Sequence, residues 1–279
     1  MIFDGGASEA FWSNYPDRPA RLRHRLGEHP ALSLESLIEL TQILDPVAIE
    51  YNAGDLPVDQ DPAKTPMNGL SASETVRRIK ECNSWIVLKN IESEPAYRDL
   101  LETCLSNVAD LPHINLPAMF KKQGFIFISS PGAVTPFHMD PEHNILMQVR
   151  GTKTMSVLPH TKGGIVSPAQ HEAFHSAGGH RNLRYRKAHD MLVTPFELCP
   201  GDALYVPVKA PHWVKVGAEV SISLSITWRS RAADNEARLH KSNAWLRARG
   251  AAPPAAGTAP LRDRLKILAH RAATRMASG

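Results

Sequence analysis

Residues 220–228 read VSISLSITW. Apolar Val220, Ile222, Leu224, Ile226 and Trp228 alternate with Ser221, Ser223, Ser225 and Thr227, and a period of two is the side-chain repeat of a β-strand. One face is oily and the other carries hydroxyls, which fits either a half-exposed strand or hydroxyls lining a polar cavity. Back toward residue 124, similar short segments recur between Gly and Pro: GFIFISS (124–130), NILMQVR (144–150), KTMSVLP (153–159), DALYVP (202–207) and HWVKV (212–216). No helix of βαβ length alternates with them, so a mainly β sandwich or barrel is expected, with a jelly roll the natural candidate.

Outside this stretch the periodicity changes. LSLESLIELTQIL (32–44) and SEPAYRDLLETCLSNVADL (93–111) place apolar residues at helical spacing, with Ser33 and Ser93 as expected caps, and WIVLKNI (85–91) reads as a strand between them. After Trp228 the chain turns helical and basic. The linker GAAPPAAGTAP (250–260) leads to a helix with Leu261, Leu265, Leu268, Ala272 and Met276 along one stripe. The expected organisation is a mixed α/β part over 1–118 packing on the core, a jelly-roll core over 119–230, and a basic helical tail over 231–279.

With 279 residues, 43% hydrophobic and 22% charged, the chain has the composition of a globular protein and not of a disordered one. Its three cysteines, Cys82, Cys104 and Cys199, lie far apart, which argues against a disulfide framework or a cysteine zinc site. No targeting or membrane-spanning segment is read from the sequence, and a cytoplasmic location is expected. The net charge of +4 divides into +8 for residues 229–279, with eleven Lys or Arg against three acids, and −4 for the remainder. The basic character therefore belongs to the tail.

Two motifs compete for a metal. HEAFHSAGGH (171–180) contains HExxH on a short expected helix opened by Ser167-Pro168, with His171 and His175 on one face as a zinc protease requires. The third ligand of the longer protease form belongs at 181, however, and His180 comes one residue early. The downstream acids Glu197 and Glu219 lie in strand-like segments. Solvated histidines on a loop helix are the favoured reading, in a segment expected to shape substrate choice.

The other motif begins at TPFHMD (135–140), where His138 and Asp140 share one side of an extended segment, and continues at PGDALYVPVKAPHWVKVG (200–217), where His212 opens a strand. Two histidines and one carboxylate on a β framework form a facial triad that leaves positions open on Fe(II) for a co-substrate and O2. Lys153, at the start of a strand after Arg150-Gly151, is placed to pair with the far end of a dicarboxylate co-substrate. Arg229, just past the last strand, is the weaker alternative anchor. His143 reads as a surface turn residue or a neighbour of the site, and Trp213 and Trp228 read as core.

The ordered series TPFHMD, Asn144, GTK ending at Lys153 and PGDxLYVPxxxxH resembles the cupin-like JmjC family, and in spacing the asparaginyl hydroxylase that inhibits hypoxia-inducible factor. The resemblance implies an Fe(II)- and 2-oxoglutarate-dependent oxygenase on a double-stranded β-helix, with His138, Asp140 and His212 as iron ligands. It further implies Lys153 and Thr135 on the far carboxylate of 2-oxoglutarate and Asn144 near the end that chelates iron. Where a second cofactor-contacting Asn belongs on the last strand, this chain has Ser225, Ile226 or Thr227. The competing class is a catalytically silent cupin-like binding or regulatory protein contacting nucleic acid through its basic tail, for which salt-sensitive affinity would be the mark. Self-association through the C-terminal helix is a further expectation. The substrate is not written in these motifs, since one scaffold serves many.

Overall fold

A computed structural model of the chain describes residues 1–3, 11–109, 119–160, 164–176, 181 and 183–277. Among them are eleven strands: β1 (Ala20–Arg23), β2 (Ile49–Ala53), β3 (Ser84–Lys89), β4 (Phe120–Ser129), β5 (Val134–His138), β6 (His143–Arg150), β7 (Lys153–Val157), β8 (Thr194–Leu198), β9 (Asp202–Val206), β10 (His212–Val216) and β11 (Ser221–Arg229). They build two antiparallel sheets, β1-β9-β6-β11-β4-β3-β2 and β5-β10-β7-β8. The sheets belong to one compact unit, Met1–His160 with Asn182–Arg229.

β11 lies mid-sheet between β4 and β6, and both of its faces are buried. Ile222, Leu224, Ile226 and Trp228 join Ile126, Ile128, Ile145 and Met147 in the main core, together with Leu37, Leu40, Val76, Leu101 and Leu105. The last five come from α1 (Leu34–Ile43), α2 (Ala72–Arg77) and α3 (Pro95–Ala109) or adjoin them. A fully buried Leu or Ile contributes roughly 1.5–3 kcal/mol, so this face anchors the helices to the sheet. The opposite face, with Ser221, Ser223, Ser225 and Thr227, is buried as well, so the strand is not half-exposed, and its hydroxyls bond to Gln148, Asn144 and the Gln123 carbonyl. A second cluster, Leu146, Leu204, Val206, Met155, Val157 and Val214, draws its members from both sheets.

Ser33 caps α1 as expected, accepting from Ser36 N at 3.1 Å. Ser93 does not cap α3: residues 91–93 form a 3-10 turn, and the first helical bond runs from Arg98 N to Glu94 O. β3 ends where Asn90 turns left-handed, at φ 52°. The chain crosses from the larger sheet to the smaller between Arg150 and Lys153. Gly151, at φ 66°, is required there, because a Cβ would meet Val220 O at 2.3 Å. The glycine turn thereby puts Lys153 first on β7.

The second unit, Thr161–Arg181 with Ser230–Gly279, is helical. It contains α4 (Pro168–His175), α5 (Arg231–Arg247) and α6 (Pro260–Ala277). Ser167 and Gln170 close a capping box on α4. The rings of His171 and His175 both stack on His240 of α5, at 5.1 and 5.3 Å, and Glu172, 4% exposed, is held by Arg247 Nε at 2.8 Å. The HExxH residues therefore fasten α4 to α5, where solvated histidines were expected. The glutamate that a protease would use as base is committed to an ion pair. His180 lies outside the described residues. No helix among them is long and apolar enough to cross a membrane.

Candidate metal centre

β5 ends at His138 and β10 begins at His212, and the two residues oppose each other across the ladder. Asp140 follows two residues past the end of β5. Its Oδ2 stands 3.8 Å from His138 Nε2 and 3.6 Å from His212 Nε2. One ligand atom from each of the three lies within 4.8 Å of the others, and among the described residues this is the one such cluster.

The tautomers follow from the backbone. His138 Nδ1 is 2.6 Å from the Pro136 carbonyl and His212 Nδ1 is 2.9 Å from the Ala210 carbonyl. A carbonyl only accepts, so each ring donates from Nδ1 and keeps its lone pair on Nε2, facing Asp140. Two neutral imidazoles and one carboxylate suit a divalent first-row metal and leave coordination positions open. Sequence spacing alone brought these three residues into one hypothesis, and the fold brings them to one point.

A detail of β5 that spacing did not show decides which side chains join them. Along β5 the step from Thr135 to His138 is three residues, while the paired step on β10, from Val214 to His212, is two. The extra residue is a β-bulge, and it sets Thr135 and His138 on the same face despite their odd separation. Opposite Val214, Thr135 shares the inner surface with the second core cluster.

Lys153 occupies that surface on β7, where Lys153, Met155 and Val157 pair with Val216, Val214 and His212. Four residues therefore separate the lysine's row from the His212 row, about 13 Å at the usual strand rise, part of which its flexible stem covers. The side chain is 5% exposed, and its ammonium has no ion pair or hydrogen bond among the described residues. Burial pushes its pKa down from 10.5 to about 7. Burial disfavours the charged form of this inward-facing amine, and an anion beside it would favour that form.

On the facing sheet, Asn144 (7% exposed) is the second residue of β6, four residues after Asp140, and Ser225 Oγ donates to its Oδ1 at 2.5 Å. Farther along, Gln148 accepts from Ser223 Oγ at 2.6 Å and donates to Ser221 Oγ at 3.0 Å. Neither network was foreseen. The hydroxyl alternation of β11 was the available signal, and it lacked only the register with β6.

Arg229, the weaker anchor candidate, is engaged elsewhere: its Nη2 donates to Glu142 Oε1 at 2.8 Å, with Glu142 only 5% exposed. Arg229→Ala is accordingly expected to lower unfolding free energy by on the order of 3 kcal/mol in urea titrations, with little change in co-substrate binding. His143 is neither a surface residue nor part of the centre. Its ring stacks on Trp228 at 5.4 Å, its Nδ1 meets Tyr205 OH at 2.8 Å, and burial holds its pKa down at about 4. Trp228 is core, as expected. His189 packs against Phe137 at 5.6 Å.

The model of the cupin-like domain family matches residues 50–234, and the chain belongs to that family. Among curated proteins, Lysine-specific demethylase 8 of Danio rerio is 34% identical over 110 residues, 35% of this chain and 25% of that protein. Jumonji C domain-containing protein 5 of Drosophila melanogaster is 32% identical over 111 residues, 37% and 26% of the respective chains. The matched segment thus spans about a quarter of these relatives' length. Among solved structures, the ribosomal oxygenase YcfD of Escherichia coli in complex with cobalt and 2-oxoglutarate superposes with a TM-score of 0.53 at 15% identity, covering 96% of this chain and 67% of that one. A further structure of E. coli YcfD gives 0.55 at 15% identity, covering 97% and 69%. These likenesses speak for the fold.

Proposed function

We propose that the chain is an Fe(II)- and 2-oxoglutarate-dependent oxygenase that hydroxylates a C–H bond of its substrate. The observation that carries this reading is the pairing of the His138–Asp140–His212 cluster with an uncompensated inward ammonium, Lys153, on one inner surface. Bound there, ferrous iron and 2-oxoglutarate would supply the chemistry by which one oxygen atom of O2 enters a C–H bond while the co-substrate becomes succinate and CO2.

The chain's own groups have separable tasks. The Nε2 atoms of His138 and His212 and a carboxylate oxygen of Asp140 would hold the ion on one side and leave the other free. Lys153, aided by the Thr135 hydroxyl, would bind the far carboxylate, and Asn144 would contact the chelating end. The apolar residues of both sheets keep water from the interior and fix the reactants' positions. The metal and 2-oxoglutarate bound by YcfD and the demethylase names of the curated relatives support this reading. Self-association through α6 remains part of it, supported by Leu261, Leu265 and Leu268, which stand 78, 65 and 60% exposed.

Anaerobic titration with Fe(II) and 2-oxoglutarate tests the reading. A weak visible charge-transfer band is expected in the wild type and absent in His138→Ala. A wild type that binds iron without developing the band would instead support a silent binding module.

A further inference from the structure

We infer that Ser225 is a positioning residue for the co-substrate: its hydroxyl turns the Asn144 amide so that the N–H donors, and not the oxygen, are left for the ligand. The inference rests on the oxygenase reading above.

The register makes the contact. Thr227 stands opposite Asn144 and Ser225 opposite Leu146, so Ser225 is the diagonal neighbour of Asn144 on the inner face. Ser225 is 1% exposed and its hydroxyl is 2.5 Å from Asn144 Oδ1. Among the described residues no other acceptor takes the Ser225 proton, and no protein acceptor takes the Asn144 Nδ2 protons.

The amide has two orientations of the same shape, and this proton decides between them. Were the amide reversed, Ser225 would accept from Nδ2 and its own buried proton would be left without an acceptor, a costly arrangement. As placed, the amide's acceptor is satisfied within the protein and its two donors are left for a ligand. A chelated 2-oxo acid presents carboxylate oxygens, which only accept. Donors turned toward them attract, whereas an amide oxygen turned toward them would repel. Ser225 therefore governs the sign of the interaction without touching the ligand, and it is one of the three positions, with Ile226 and Thr227, where the resemblance places a second cofactor-contacting asparagine.

The test is the anaerobic titration of the Fe(II)-loaded 279-residue chain with 2-oxoglutarate, read by the charge-transfer band, alongside a separate measurement of iron affinity. Ser225→Ala is expected to weaken 2-oxoglutarate binding about tenfold, the scale of one misdirected buried hydrogen bond, with iron affinity unchanged. Ser225→Thr, which restores a hydroxyl, is expected to bind within about threefold of wild type, a small shift on the same scale. The double variant Asn144→Ala/Ser225→Ala should bind no more weakly than Asn144→Ala alone, because the serine acts only through the amide. If Ser225→Ala does not fold, Ser225→Cys replaces it in the series, since a thiol is a poor donor of similar size. Wild-type binding in the Ala or Cys variant, or a double variant whose losses add, overturns the inference while leaving the oxygenase reading standing. Absence of the band in the wild type sinks the oxygenase reading itself.

Discussion

Asp140→Ala is expected to leave a folded protein that neither retains Fe(II) nor forms succinate. The carboxylate is the only anion in the three-residue cluster, and its Oδ2 is 3.8 and 3.6 Å from the Nε2 atoms of His138 and His212. Without it, two neutral rings 4.1 Å apart would have to hold a dication with no charge to offset it. The fold should persist, because the backbone bond from Lys209 N to Asp140 O, at 2.8 Å, does not depend on the side chain. Circular dichroism would check folding, and anaerobic iron titration with succinate assay would check the site. His171→Ala, in the histidine stack of the helical unit, is the matched control and should keep its iron. Retained iron and turnover in Asp140→Ala would remove the centre from the mechanism.

Lys153→Met should move two properties in opposite directions. Losing the ammonium is expected to weaken 2-oxoglutarate binding about a hundredfold, the scale of removing one partner of a buried charge pair. The same change is expected to stabilise the ligand-free protein. In the folded chain the lysine's pKa is about 7 against 10.5 for an ordinary lysine, so between those values the unfolded chain holds the extra proton. Stability of the wild type should therefore rise with pH from about 7 to about 10.5 through this group. Below that window the buried charge costs roughly 4–5 kcal/mol at about 1.4 kcal/mol per pKa unit. The methionine variant lacks this slope, and urea titrations at pH 6.5 and 9.5 would show it. In the wild type, 2-oxoglutarate binding above pH 7 should draw in a proton, measurable by calorimetry in buffers of different ionisation enthalpy. A variant that loses affinity without gaining stability would mean that Lys153 already has an anionic partner.

How much of this was legible in the sequence depends on where each signal resides. The alternation of β11 and the spacing of His138, Asp140 and His212 are local patterns, and the fold preserves them. Strands β1 and β2, sheet-edge strands of four or five residues, were not foreseen, whereas the strand-like segment around Glu197 is β8, an edge strand that tolerates Pro195. His143 was misread because what buries it comes from afar, Tyr205 and Trp228 being 62 and 85 residues downstream. The HExxH histidines were read as solvated for the same reason. The motif's meaning depends on His240 and Arg247, which no local window contains.

The three-residue interval between Thr135 and His138 is odd in the chain and behaves as even in the sheet. TPFH is thus a counting device: two side chains look the same way only because one link of the polymer goes uncounted by the neighbouring strand. Were the ladder regular, so that the neighbouring strand counted that link, the imidazole and the hydroxyl would turn to opposite sides while every chemical group stayed present. The integrity of this centre is therefore a matter of parity as much as of composition.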